Sequence, residues 1–548
     1  MPSSSPMSSL TPVPPDSHHD TQGWPYRDTQ EIPSQLNQHL HAYYEEDLNA
    51  QAFDFLHSIV SNSVSPHNPA AKVFIPPSPQ IALAATLAVH PNTTTRSEDR
   101  SRHAQNISAF KLLRLLINVT GPYTPFQKAF RFRKYQDFFH TTKEVSEETY
   151  VDTRHQYAGT NNLFNRADDF WALIGWAFNC ACLPDMYAER WKYYEPLLDL
   201  LIQILEIDYV YCHAKEAWED SLLWSYVELA SGGYGKSRRI FRAIFASGTT
   251  RDLNEFREIF NKELKRPKVK EEIADRKIDL DNDEFADYDS SSDEFSETED
   301  TRPNKRARRT RSARSSTVSL HSAYEADASS TAATLGSPTA LRLRTRLLRL
   351  LAALATQPSL IAHSSSAFVA EDELYTLFVE FISPLPLPIF QQIILPDTHT
   401  SAPFDRQTHI AMCEAILARM LESQAPKNDN ADGSLDASRL VQCYLPYAAS
   451  STDFESQARV ALCVEALARL LDRSGALVDP EQNGGVDAQI VGWAVEEGVR
   501  RRLEVALRSV DGRKAGKKGS NTKKDEDRVV LRESSERLRV LVQTDVRH

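Results

Sequence analysis

The sequence has few cysteines, no long apolar run and no export signal. Six cysteines among 548 residues are too few for a disulfide framework, which favours a reducing compartment. The most leucine-rich stretch, residues 341–354, contains four arginines, so we expect no membrane span. The Ser/Pro-rich N-terminus lacks the basic-then-apolar order of a secretory signal. We therefore expect neither export nor membrane insertion.

Common enzyme motifs are also missing. The sequence contains no HExxH pair, nucleophile elbow or glycine-rich dinucleotide signature. Residues 231–237 resemble a phosphate loop, but Ala230 stands where that loop requires glycine. Cys180, Cys182, Cys212 and His213 do not have the spacing of a zinc knuckle. We expect no catalytic, cofactor or metal site, and an enzyme of unrecognised type is left as a minor alternative.

Apolar residues recur at three-to-four spacing over most of the chain, which predicts an all-α protein. Residues 1–34 are rich in Ser, Pro, His and Asp and predict a disordered tail. We predict an aromatic-rich helical domain over 35–265, a disordered acidic-then-basic linker over 266–337, and a second helical domain over 338–548. A polar, lysine-rich loop interrupts this second domain at 512–525.

The C-terminal domain contains an internal repeat. Residues 401–422 and 451–472 share nine of 22 aligned positions, including Cys413 with Cys463 and Gln407 with Gln457. The residues that follow echo one another too, at 435–441 and 486–491. A helix pair that repeats every 50 residues or so predicts a short HEAT/armadillo-like stack, because neither pair buries its apolar face alone. The matched cysteines are predicted to pack in the core.

Charge is concentrated in the linker. The formal net charge is −12, and residues 271–300 alone hold 14 acidic against two basic residues. Three aromatic residues lie among these acids, in a pattern that suits docking on a basic partner such as a histone. They are Phe285, Tyr288 and Phe295.

Three serines of this stretch, Ser290, Ser291 and Ser296, each have an acidic residue three positions later, which suits an acid-directed kinase. Lys270 lies in a hydrophobic-Lys-x-acidic pattern typical of SUMO attachment. A basic cluster follows and predicts a nuclear import signal. Its members are Arg302, Lys305, Arg306, Arg308, Arg309, Arg311 and Arg314.

Two other groups of cations are candidate nucleic-acid contacts. One alternates with aromatic rings near residue 130, as single-strand binding requires, although an amphipathic helix with inward rings explains the same pattern. The other lies in the 512–525 loop and can reach phosphates. The residues are Lys128, Arg131, Arg133, Lys134, Lys514, Lys517 and Lys518.

Together these features predict a non-enzymatic nuclear scaffold or adaptor that binds protein subunits of a chromatin, DNA-repair or transcription complex through helical surfaces. The main alternative is a histone- or nucleic-acid-binding protein that acts through its linker and basic segments.

Overall fold

The computed structural model describes residues 26–65, 67–68, 70–97, 100–121, 125–132, 155–218, 221–232, 235–265, 335–357, 360, 371–395, 404–426, 435–477, 486–511 and 521–545. The protein is all-α, as predicted, with two helical parts on either side of residues 266–334. The predicted import signal, acidic-aromatic motif, modification sites and loop lysines lie outside the described residues, as do Arg133 and Lys134.

The N-terminal part consists of eleven described helices and two short strands. The strands are β1 (Thr29–Glu31) and β2 (Val73–Ile75), which pair in parallel. The helices are α1 (Ser34–Glu45), α2 (Asn49–Ser63), α3 (Ser78–Val89), α4 (Arg100–Thr120), α5 (Pro125–Ala129), α6 (Leu163–Arg166), α7 (Phe170–Cys182), α8 (Met186–Lys215), α9 (Leu222–Glu228), α10 (Lys236–Ile244) and α11 (Thr250–Glu255).

The described structure begins at Tyr26, before the predicted tail boundary at residue 34. Strand β1 pairs with β2, Ile32 is buried, and the ring of Tyr26 lies against Gly121. A strand of three residues is too short to show a periodic pattern of apolar residues. The sequence of β1 therefore looks the same as that of a polar tail.

The helical pattern that begins near residue 35 is divided into α1 and α2. Asp47 adopts a left-handed backbone conformation with φ 56° between them, and its Oδ1 accepts a 2.6 Å hydrogen bond from Asn49 Nδ2. Asp tolerates this conformation better than most residues because its short side chain bonds locally. The chain therefore turns without Gly or Pro.

The C-terminal part contains eight described helices. They are α12 (Pro338–Ala355), α13 (Glu371–Ile382), α14 (Leu387–Ile394), α15 (Arg406–Met420), α16 (Ala437–Arg439), α17 (Phe454–Asp472), α18 (Ala488–Asp511) and α19 (Asn521–Asp545).

The first helices of the two repeat copies are α15 and α17, which pack against each other. Cys413 and Cys463 are both buried there, and a hydrogen bond between the two thiols, together with burial, holds the pKa of Cys413 well above its usual range. The second elements differ in length, because α16 is one turn that continues into a π-helical turn over 440–444, whereas α18 has 24 residues. The echoed Asp436 and Asp487 begin these elements, each accepting a backbone N–H bond.

The two helical parts share one continuous apolar core. Helix α12 packs along α8, where Arg346 bonds to Asp199 at 2.6 Å and to Glu206 at 2.7 Å. Rings of α13 meet rings of α10, with the centroids of Phe381 and Phe241 5.5 Å apart. The first helices of the C-terminal part therefore complete the core of the N-terminal part.

Candidate protein-binding surface

The last two helices, α18 and α19, pack antiparallel at the end of the C-terminal part. Glu496 of α18 bonds to Arg539 of α19 at 2.7 and 2.8 Å, and Gly492 lies near Val542. Because the α18 positions rise while the α19 positions fall, the helices run in opposite directions. The faces that they turn inward are apolar: Val491, Ala494, Val495, Val499, Leu531, Leu538 and Val542 are buried.

Helix α19 is attached to the repeat helix α17 by a buried carboxylate. Glu465 of α17 has only 1% of its side chain exposed, and it accepts hydrogen bonds from Ser534 at 2.7 Å and from Arg537 at 2.7 and 3.0 Å. Arg469, one turn along α17, bonds to the same carboxylate at 2.6 Å. Charge-assisted bonds of this kind fix the orientation of a helix as well as its position.

The outer faces of α18 and α19 carry large apolar side chains that are largely exposed. Trp493 is 64% exposed, and Val540 is 58% exposed. Five of the nine large apolar residues that are exposed in the described parts of the chain belong to these two helices: Ile490, Trp493, Leu507, Val529 and Val540. Single exposed apolar residues are ordinary, whereas a concentration of them marks interaction sites. We call these five residues the outer apolar surface.

Several charged residues around the outer apolar surface are paired within the two helices. Arg500 bonds to both Glu497 and Glu504, and Arg532 bonds to Glu536 at 3.0 Å. Such exposed pairs contribute little to stability, and they neutralise much of the charge on this face, where Arg508 and Arg528 are also exposed. Its recognition chemistry is therefore apolar contact surrounded by neutralised charge, the arrangement found in protein–protein interfaces.

An open groove of about 460 Å³ runs beside Val540, between α17 and α19. It is lined by Arg469, Glu533, Glu536, Arg537, Val540 and Leu541. The groove combines an apolar floor with carboxylates and guanidinium groups at its edges. It has the size for one or two side chains of a partner protein.

The sequence patterns did not predict this surface. Trp493 lies outside the aromatic-rich domain predicted over 35–265, and the residues that begin its helix, 486–491, were interpreted only as part of the repeat. A signal was available, because Ile490 and Trp493 fall three residues apart on the face of α18 that also holds Glu496 and Arg500. Apolar residues on the charged face of an amphipathic helix indicate contact with something outside the domain.

The candidate nucleic-acid contacts near residue 130 are split by the fold. Lys128 and Arg131 are exposed, whereas Phe126, Phe130 and Phe132 are buried. The ring of Phe130 stacks on Phe164 at 4.6 Å between centroids. Buried rings cannot stack on bases, so the rings point inward as the alternative predicted, but they do not share one helix, because α5 ends at Ala129 and Phe130 and Phe132 follow it. Phosphate contact by the two cations stays a prediction.

Within the described parts of the chain, no group of three His, Cys, Asp or Glu side chains is placed to hold a metal ion, and no helix is both long and apolar enough to cross a membrane. No protein-family model matches the sequence, and no curated protein matches it either.

Proposed function

We propose that this protein is a non-enzymatic nuclear scaffold or adaptor, a subunit of a chromatin, DNA-repair or transcription complex. The observation that carries the proposal is the outer apolar surface, with a largely exposed Trp493 among intrahelical ion pairs. Tryptophan is enriched among the residues that dominate binding energy, and a rigid helix pair holds it without ordering cost. The basic cluster at 302–314 supports the nuclear assignment.

The surface is tested by comparing three full-length proteins captured from nuclei. One is wild type, one carries Ile490→Ser, Trp493→Ala and Val540→Ser, and the control carries Ile107→Ser and Val210→Ser, which are exposed apolar positions on α4 and α8. If the protein is a scaffold, the variant with Ile490→Ser, Trp493→Ala and Val540→Ser recovers at least tenfold less of a stoichiometric partner, and the control variant recovers as much as wild type. The purified partner is expected to show the same loss of affinity in direct binding. Equal recovery of every partner from all three proteins contradicts the proposal.

Nuclear import is tested separately with a fluorescent fusion. Replacing Lys305, Arg306, Arg308 and Arg309 by Ala is expected to move the fusion out of the nucleus, while the same change at Lys514, Lys517 and Lys518 leaves it there. A fusion that stays nuclear without the first four cations removes the support for this compartment.

The histone- or nucleic-acid-binding alternative is separated from the scaffold by deleting residues 271–314 and adding a foreign import signal. A scaffold keeps the partner of the outer apolar surface after this deletion. A protein that acts through its linker loses its ligand.

A further inference from the structure

The last segment of the N-terminal part, residues 250–265, exposes four cations. Arg251, Arg257, Lys262 and Lys265 are all exposed, and none of them forms a salt bridge with another described residue. Arg257 Nε donates only to the carbonyl oxygen of Asn254, at 3.2 Å. We call these four residues the basic surface.

Three of the four acidic residues of the same segment make internal contacts, while the fourth, Glu258, is exposed and lies near Lys265. Asp252 accepts hydrogen bonds from the N–H and hydroxyl of Ser247, and Glu255 forms a two-bond pair with Arg242 at 2.7 and 2.8 Å. Glu263 is fully buried against Arg190. Because internal contacts occupy these three carboxylates, four exposed cations stand against one exposed carboxylate, and the outside of the segment keeps a net positive charge.

Buried contacts hold the segment rigidly along α7. Trp176 Nε1 donates to Glu263 Oε1 at 3.1 Å, and Asn179 Nδ2 donates to the carbonyl oxygen of Phe256 at 3.4 Å. Glu263 Oε2 accepts the N–H groups of Ile259 and Phe260. The basic surface is thus built on a fixed backbone and not on a free chain end.

The chain returns to the same helix after residues 266–334. Leu335 is buried, and Gly336 adopts φ +85° so close to α7 that a Cβ there would lie 2.8 Å from the carbonyl oxygen of Ala181. Trp176 and Ala181 are five residues apart, or about 7.5 Å along the helix. Residues 266–334 therefore leave the fold directly after Lys265 and re-enter it on α7, the helix against which the basic segment packs.

We propose that the basic surface is the docking site of this chain's own acidic segment, residues 271–300. The segment carries 14 acidic and two basic residues and begins six positions after Lys265. A short tether gives an effective concentration on the order of millimolar, so even weak ionic contacts are populated. Phosphate on Ser290, Ser291 or Ser296 would strengthen the contact by adding charge.

Docking has a consequence for regulation. While it lies on the basic surface, the acidic segment is withheld from basic partners in solution, and such a partner must compete with it. This inference does not depend on the scaffold function, because it concerns a different face of the molecule.

The test uses the full-length chain with residues 271–300 replaced by a Gly/Ser segment of equal length. A fluorescent synthetic peptide of residues 271–300 is titrated in about 50 mM and about 300 mM salt, with anisotropy as the readout. Docking predicts that the peptide binds this chain, binds wild type at least tenfold more weakly because the site is occupied, and binds less in high salt.

Two charge-reversal variants of the replaced chain locate the site. Arg251→Glu with Arg257→Glu and Lys262→Glu is expected to weaken peptide binding at least tenfold. The matched control, Lys111→Glu with Arg114→Glu and Lys128→Glu, is expected to leave it within twofold, and thermal melts check that both variants fold. The proposal is overturned if the peptide binds both variants equally well. It is also overturned if peptide binding is lost only when the basic residues of 302–314 are replaced. The proposal is also overturned if the peptide does not bind while a nucleic-acid oligomer binds and needs the four cations of the basic surface to do so.

Discussion

Arg344 of α12 lies over the ring of Phe178 in α7, with its guanidinium carbon 4.0 Å from the ring centroid. A fully buried cation from the C-terminal part thus enters the core of the N-terminal part. It donates to the carbonyl oxygens of Ile244 and Ala246, the second at 2.9 Å. Burial lowers its pKa to about 10, so it remains charged at neutral pH.

Arg344→Met should therefore destabilise the protein by about 2–4 kcal/mol, because both carbonyls lose their donor in a dry site. Urea denaturation measures the change. Arg342→Ala is the control, because Arg342 is largely exposed and its ion pair with Asp199 is long at 3.7 Å. The expected loss in the free energy of unfolding is below about 0.5 kcal/mol. Equal stabilities for the two variants would show that the buried guanidinium does not support the contact between the parts.

Cutting the chain between its two helical parts should leave them associated. A protease site inserted at residue 320 allows the cut, and the pieces are expected to co-elute in size exclusion because α12 and α13 pack on α8 and α10. Adding Phe381→Ala and Arg346→Ala should make the cut pieces separate. Separation of the wild-type pieces at micromolar concentration would be inconsistent with a shared core.

The repeat offers a matched pair of glutamines. Gln457 is buried, and its amide bonds to the backbone of Ala449 and Ser451 at 2.6–3.1 Å, whereas the equivalent Gln407 is exposed. Gln457→Ala should cost about 2–3 kcal/mol, because three backbone contacts in a buried turn are lost. Gln407→Ala should cost less than about 0.5 kcal/mol. Thermal melts of the two variants decide whether the repeat positions differ in this way.

His90 should make stability depend on pH. Burial, followed by the nearby Arg190, lowers its pKa to about 3 from 6.5; Arg166, Arg96 and His155 act in the same direction. Below about pH 6.5 the unfolded chain therefore binds a proton at His90 that the folded chain does not bind. As the pH is lowered from 6.5 to 3, the free energy of unfolding falls by about 1.4 kcal/mol per pH unit.

His90→Asn tests this titration, because Asn also accepts the N–H of Asn92 that His90 Nδ1 accepts at 3.2 Å. The variant should be less stable at pH 7, because its ring contacts with Tyr157 and Phe260 are gone. Between pH 7 and pH 4.5, wild type should lose about 2–3 kcal/mol more than the variant. Parallel pH profiles would show that His90 does not carry the dependence.

The sequence predicted regular helices better than the turns between them. Apolar residues recur at helical spacing over 454–472, and α17 spans those residues. The same spacing continues over 252–264, but α11 ends at Glu255, and buried Glu263 ties the following turns to α7. Helical periodicity shows which residues face a core. It does not distinguish a helix from a series of turns whose apolar residues are buried by contacts with a distant part of the chain.

The candidate site was less predictable than the fold. The charge clusters could be read directly, because they are contiguous in the chain. The outer apolar surface combines Trp493 with Val540, from helices separated by a loop, and its exposure depends on which faces the rest of the fold covers. Identical residues can also differ in burial, as Gln407 and Gln457 do.

By itself, the sequence determined the all-α class, the α15/α17 repeat and the separation of acidic from basic charge, because each is a local pattern of period, identity or composition. Only the tertiary structure decided that the two helical parts share a core and that residues 266–334 leave from and return to α7. Those relationships depend on contacts such as Arg344 with Phe178, between side chains more than 150 positions apart. No short pattern encodes such a contact, since it exists only once both surfaces have formed.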